Sequence, residues 1–159
     1  MKAFDTDILT EILAGNPAYA DRIATVPVIE QAVPIVAVEE IMRGRLNTVR
    51  QAEAAKARIT IEHAYWLFEQ TLYDFREVRI LSFTQQAEGL LKEWRRLKIK
   101  GSTHDLRIAA SCVVSLATLV RNCPRMTSTV EARPAGVRRW PVCVSARNAI
   151  HSPADLAAE

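Results

Sequence analysis

A chain of 159 residues, 49% hydrophobic and 25% charged, has the length and composition of one globular domain with a core of its own. No apolar run approaches the roughly 18 residues a membrane helix requires, and acids from position 5 break the basic-then-apolar pattern of a secretory leader. The net charge of +3 lies wholly in residues 121–159, while residues 1–120 balance 15 basic against 15 acidic side chains, which excludes a global basic platform for nucleic acid.

Residues 2–6 read as a short strand, and 7–14 as a helix stopped by Gly15-Asn16-Pro17. A second helical piece, 17–25, ends before Pro27. Residues 34–38, rich in β-branched side chains, read as a second strand running into a helical turn, 39–43, that Gly44 interrupts or ends. From 45 to 88 there is neither glycine nor proline, and Ile61, Ala64, Leu67, Phe68 and Leu72 recur at helical spacing. Residues 77–83 resemble a third strand. Residues 85–98 form an amphipathic helix that sets Leu90, Leu91 and Trp94 against Lys92, Arg95 and Arg96. A helix over 103–116 and a fourth strand over 117–120 follow. Strands separated by helices imply an α/β fold of three α/β/α layers, with a mostly parallel central sheet.

Trp66, Phe68 and Tyr73, within the long segment 47–75, suit either the core or a surface for a partner. Cys112, Cys123 and Cys143 are odd in number and fit no paired spacing, so reduced thiols in a cytosol are expected, with Cys112 packed as a small hydrophobe. His63, His104 and His151 are too scattered for a zinc site.

Ligands of such sheets bind outside the carboxyl ends of the strands. Asp5 stands at the end of the first strand, Glu40 just past the second, and Asp105 near a helix start. Converging carboxylates repel one another unless a cation joins them, and Mg²⁺ or Mn²⁺ is the hard, oxygen-liganded ion that suits them. Each acid also has a structural reading. Asp7 suits an N-cap, Glu39 and Glu40 suit a first turn, and Ser102 to Asp105 has the form of a capping box. Spacing alone leaves both readings open.

FDTDIL, VEEIMRGR and GSTHDLRIAA, in that order, resemble the three main motifs of PIN-domain ribonucleases, most closely the VapC-type toxins of bacterial toxin–antitoxin pairs. The resemblance covers residues 1–122 and implies a PIN-like fold there. It implies Asp5, Glu40 and Asp105 as the catalytic, metal-binding acids for Mg²⁺ or Mn²⁺, with Glu40 chosen over Glu39 by its distance from Gly44. Thr6 becomes a supporting catalytic hydroxyl, and Asp7 stands where the family carries Asn or Asp. Also implied are a cytoplasmic homodimer, a cognate antitoxin whose C-terminal segment covers the acidic pocket, and hydrolysis of RNA phosphodiesters in tRNA, rRNA or mRNA.

The resemblance then weakens. The family continues with a run like ATLVTRNxxDF, whose aspartate is a fourth acid, but residues 117–128 contain none, so impaired activity is expected. The codons of Met126 and Thr127 necessarily contain an aspartate codon out of frame, and a frameshift near 120–123 would account for the altered end. Residues 123–159, with four of the seven prolines, are expected to pack loosely, with Val137, Trp140, Val142 and Val144 as the only anchors. Two other functions compete. One is a PIN fold that binds antitoxin or RNA without cutting. The other resembles haloacid-dehalogenase-type phosphatases, with Asp5 as nucleophile and Asp7 as general acid, although Leu9 departs from that pattern and no later acidic pair follows.

Overall fold

The computed structural model of the protein describes residues 1–56 and 58–121. The proposed boundary at 122 and every expectation for residues 123–159, the anchors and Cys123, Cys143 and His151 included, lie outside the described residues. The elements are β1 (Lys2–Phe4), α1 (Thr6–Leu13), α2 (Pro17–Ile23), β2 (Gln31–Pro34), α3 (Ile35–Glu53), α4 (Ile61–Arg76), β3 (Arg79–Leu81), α5 (Gln85–Arg96), α6 (Thr103–Val114) and β4 (Thr118–Val120). Among the described residues no helix is long and apolar enough to cross a membrane.

The four strands form one sheet in the order β3-β2-β1-β4, and every neighbouring pair is parallel. Successive strand residues face opposite sides of a sheet. Ala3 and Phe4 of β1 are both buried, as are all four residues of β2, so helices cover both faces. That is the expected three-layer α/β arrangement. Its core joins Phe4, Val33 and Leu81 of the sheet to Ile8, Leu9 and Ile12 of α1, Val36 and Ile41 of α3, and Ile108 and Cys112 of α6. Cys112 behaves as expected of a small core hydrophobe: it is 2% exposed, and burial, with Asp5 nearby, pushes its thiol up to about 12.

Helix ends follow local chemistry. Gly15, at φ +74°, closes α1, with the Gly15 N–H donating to Ile12 and the Asn16 N–H to Glu11. Asn16 then caps α2 through its side chain, which accepts from the Ala18 N–H. Thr60, Thr84 and Ser102 cap α4, α5 and α6 in the same way.

Two expectations are corrected. The second strand is Gln31–Pro34 rather than 34–38, and Ile35 already belongs to α3. The apolar run after Pro34 instead supplies the inner face of a helix, with Val36, Ala37 and Ile41 buried. The true strand was masked by Gln31, a polar side chain buried in the sheet, whose amide N–H donates to the Val26 carbonyl at 3.1 Å. Nor does Gly44 end the helix. It is exposed mid-helix, and α3 continues nine residues past it to Glu53, held by its contacts with α1, α4 and α6.

Candidate active site

The site forms where β1 and β4 end side by side. Phe4 pairs with Val120 in the parallel register, so the next residues, Asp5 and Arg121, are neighbours by construction. The Asp5 N–H donates to the Val120 carbonyl at 3.1 Å, locking that alignment. Asp5 is also the N-cap of α1, its Oδ1 accepting from the Thr6 N–H at 2.8 Å. Its second oxygen, Oδ2, lies 2.5 Å from Arg121 Nε.

Asp105 arrives from α6. It is the third residue of that helix and completes a capping box: its N–H donates to Ser102 Oγ at 3.0 Å, and the Ser102 N–H donates back to Asp105 Oδ2 at 3.3 Å. The other oxygen, Oδ1, lies 2.6 Å from Arg121 Nη2. The capping reading of this acid is therefore realised on one oxygen, while the other pairs with Arg121. Asp5 divides its oxygens in the same manner.

Glu40 stands beside this pair on α3. Thr6 Oγ1 donates to its Oε2, and His104 Nδ1 lies 2.5 Å from its Oε1. His104 Nε2 is also 3.9 Å from Glu39, which otherwise pairs with Arg43 one turn along the exposed face of α3. The acids thus fall into two groups joined through the Asp5–Thr6 peptide: Asp5 and Asp105 around Arg121, and Glu39 and Glu40 around His104. Among the described residues no three His, Cys, Asp or Glu side chains stand ready to hold one metal ion. Asp7 is exposed in the first turn of α1.

Electrostatics separates the two paired aspartates. Burial pushes the Asp5 carboxyl above its ordinary value, opposed by the Thr6 N–H and Arg121 and reinforced by Asp7 and Asp105. Burial also acts on Asp105, but the Ser102 hydrogen bonds and Arg121 outweigh it and hold that carboxyl below the usual range. Arg121 is held above its ordinary value, because the two carboxylates overcome its own desolvation. Asp5, 4% exposed, is thus an acid whose burial one shared guanidinium does not fully offset.

Hard carboxylate oxygens already turned toward one cationic point fit Mg²⁺ or Mn²⁺ in donor chemistry, since such ions are held by one or two carboxylates and keep waters besides. Of the residues expected from sequence, Asp5 and Asp105 meet at that point, while Glu40 and Thr6 form the adjoining pair. Spacing did not single out His104 or Arg121. Both carried a signal nonetheless: His104 directly precedes Asp105 inside GSTHDLRIAA, and Arg121 directly follows a strand, by the rule that selected Asp5.

Similar solved structures are toxin–antitoxin assemblies. A toxin–antitoxin complex from Klebsiella pneumoniae superposes with a TM-score of 0.61 at 18% identity, covering 89% of this chain and 100% of that one. The chain has a PIN-like fold. VapBC2 from Rickettsia felis, solved bound to a DNA fragment from its promoter, shares this fold with a TM-score of 0.53 at 16% identity, covering 77% of this chain and 87% of that one. FitAcB from Neisseria gonorrhoeae matches the PIN-like fold at 0.57 and 16% identity, over 75% of this chain and 85% of its own. No family model matches the sequence, and no curated protein does.

Proposed function

We propose that this protein is the toxin of a toxin–antitoxin pair, acting in the cytoplasm as a Mg²⁺- or Mn²⁺-dependent endoribonuclease. The observation that carries this reading is the convergence of Asp5 Oδ2 and Asp105 Oδ1 on one cationic point at the carboxyl edge of a PIN-like sheet, 2.5 and 2.6 Å from the Arg121 guanidinium. Asp5 and Asp105 would hold the ion directly, and Glu40, tied to the Asp5 turn through Thr6, would complete the carboxylate set. When bound, the ion would polarise an RNA phosphate and lower the pKa of its water for in-line attack. Thr6 fixes the orientation of Glu40 by donating to Oε2, and His104 braces Oε1. The capping box fixes Asp105 in the same sense.

An antitoxin partner is supported by the fold shared with toxin–antitoxin complexes. A homodimer and an RNA substrate follow from the sequence resemblance. The test is to incubate the full chain with tRNA and rRNA, in Mn²⁺ or Mg²⁺ and in EDTA. Cleavage that EDTA abolishes, and that Asp5→Asn, Asp105→Asn and Glu40→Gln each abolish, is expected. An Asp105→Asn protein that keeps the parent's metal-dependent rate would remove this site.

A second reading has its own support. Arg121 stands at the cation point, and residues 117–128 supply no fourth acid. A PIN-like fold that binds its antitoxin or RNA without cutting would bind RNA equally well in Mn²⁺ and in EDTA and leave it intact.

A further inference from the structure

Arg121 stands at the mouth of an acidic site. Its side chain is 47% exposed, yet its guanidinium reaches inward and spans two carboxylates from different elements, Asp5 after β1 and Asp105 in α6. An arginine fork matches two carboxylate oxygens in a fixed geometry. Asp5 is almost fully buried, and Arg121 is the cation it pairs with among the described residues. Removing the guanidinium would leave two carboxylates facing a common point without the charge that pairs them, an arrangement that like charges oppose.

We propose that Arg121 is a resident counter-cation of this site: it holds Asp5 and Asp105 together in the absence of metal, and a divalent ion binds only by displacing it. This inference rests on reading Asp5 and Asp105 as a cation site, and it adds that the chain carries its own competitor. The geometry allows displacement without unfolding. Arg121 lies just past the last residue of β4, the described β1–β4 ladder ends at the Phe4–Val120 pair, and its half-exposed side chain can turn to solvent. Asp5 and Asp105 are instead fixed by the N-cap of α1 and the capping box of α6, so the carboxylates stay while the arginine leaves. Metal affinity is therefore lowered by the strength of the two ion pairs that must break.

The test measures Mn²⁺ binding to the full chain by electron paramagnetic resonance of the free ion, so that no cleavage assay is involved. The wild type, Arg121→Gln, Arg121→Lys and Asp5→Asn would be compared. Losing two close ion pairs should tighten Mn²⁺ binding by about tenfold or more in Arg121→Gln. Arg121→Lys should fall between, because an ammonium is a point charge and cannot span both carboxylates as a fork does. Asp5→Asn should bind weakly or not at all. Thermal melting supplies an independent readout. Arg121→Gln should melt below the wild type in EDTA and recover more than the wild type does when Mn²⁺ is added. If Arg121→Gln does not fold, Arg121→Lys carries the test alone. Equal affinities in the wild type and the Arg121 variants, with binding still lost in Asp5→Asn, would overturn the competitor while leaving the cation site standing. No Mn²⁺ binding by any of the chains would overturn both.

Discussion

The sheet and the α3–α4 pair are built to different standards. Around the sheet, apolar side chains are enclosed from both faces, and Phe4 and Val33 are each 1% exposed. At the far end of α3 and α4, only Val49, Ala52 and Ala64 are buried, with Ile59 packed against them. Most of the contact there is made by small residues. Several larger apolar side chains of the pair, Leu46, Ile61, Tyr65, Trp66, Leu72 and Tyr73, are exposed. Between the two regions sits a polar joint, in which Arg45 Nε donates to the buried Thr71 hydroxyl at 2.9 Å and Asp74 lies within its field. A parallel sheet gains its stability from two covered faces, whereas two helices meeting along one seam bury one narrow stripe each. The site belongs to the first region, with Asp5 directly after β1 and Arg121 directly after β4.

The largest expected effect strikes the sheet. Phe4→Ala should destabilise by about 3–5 kcal/mol, and Val49→Ala in the helical seam by about 1–2 kcal/mol. Urea unfolding of both variants tests the contrast, and equal losses would erase it. Next, Cys112 should resist alkylation at about pH 8, as a buried thiol with its pKa pushed up to about 12, until the whole domain opens. Peptide mapping after a timed iodoacetamide pulse reads this. Amides of Val49 and Ala64 should exchange with solvent faster than Cys112 reacts in the limit of rapid reagent, because the seam opens locally.

Smaller effects sharpen the picture along α3. Gly44→Ala should stabilise by about 0.5–1 kcal/mol, since nothing lies within 4 Å of the added methyl and a mid-helix glycine costs conformational entropy. The smallest effect concerns pH. Burial raises the Asp74 carboxyl above its ordinary value, against the pull of Arg45. Its contribution to stability is therefore full below the unfolded value near about 4 and is lost as pH rises through the folded value. Asp74→Asn does not titrate, so between about pH 3 and pH 7 it should gain urea resistance relative to the wild type. A difference that moves the other way would show that the Arg45 pairing dominates this joint.

Much of this fold is legible in the sequence. The element order, the parallel sheet and the placing of Asp5 at a strand end follow from alternating apolar strands and periodic helices. Asp105 has two possible roles by sequence, and the capping role is the one the structure displays. The second strand falls at Gln31–Pro34 rather than 34–38 because the apolar run after Pro34, extended by composition, is helical in the fold. Burial against β1 and β3 decided the strand's place. Helical spacing favours burial of Trp66 and Tyr73, with a partner surface as the alternative, but the packing of α4 against α3 leaves both exposed, with Phe68 half-buried.

What the sequence by itself determined was local: which segments are helices, which residues cap them, and which acids stand at their ends. These depend on interactions a few residues apart, which the order of side chains already contains. Only the tertiary structure decided which charge answers which. Asp5 and Arg121 are 116 positions apart in the chain, and Glu40 and His104 are 64 apart, so no periodicity relates either pair. The first becomes neighbours through the parallel register of β1 with β4, the second through the packing of α3 against α6. Strand register is set by burial on both faces of the sheet, and a shift of one residue would turn Asp5 away from the site altogether.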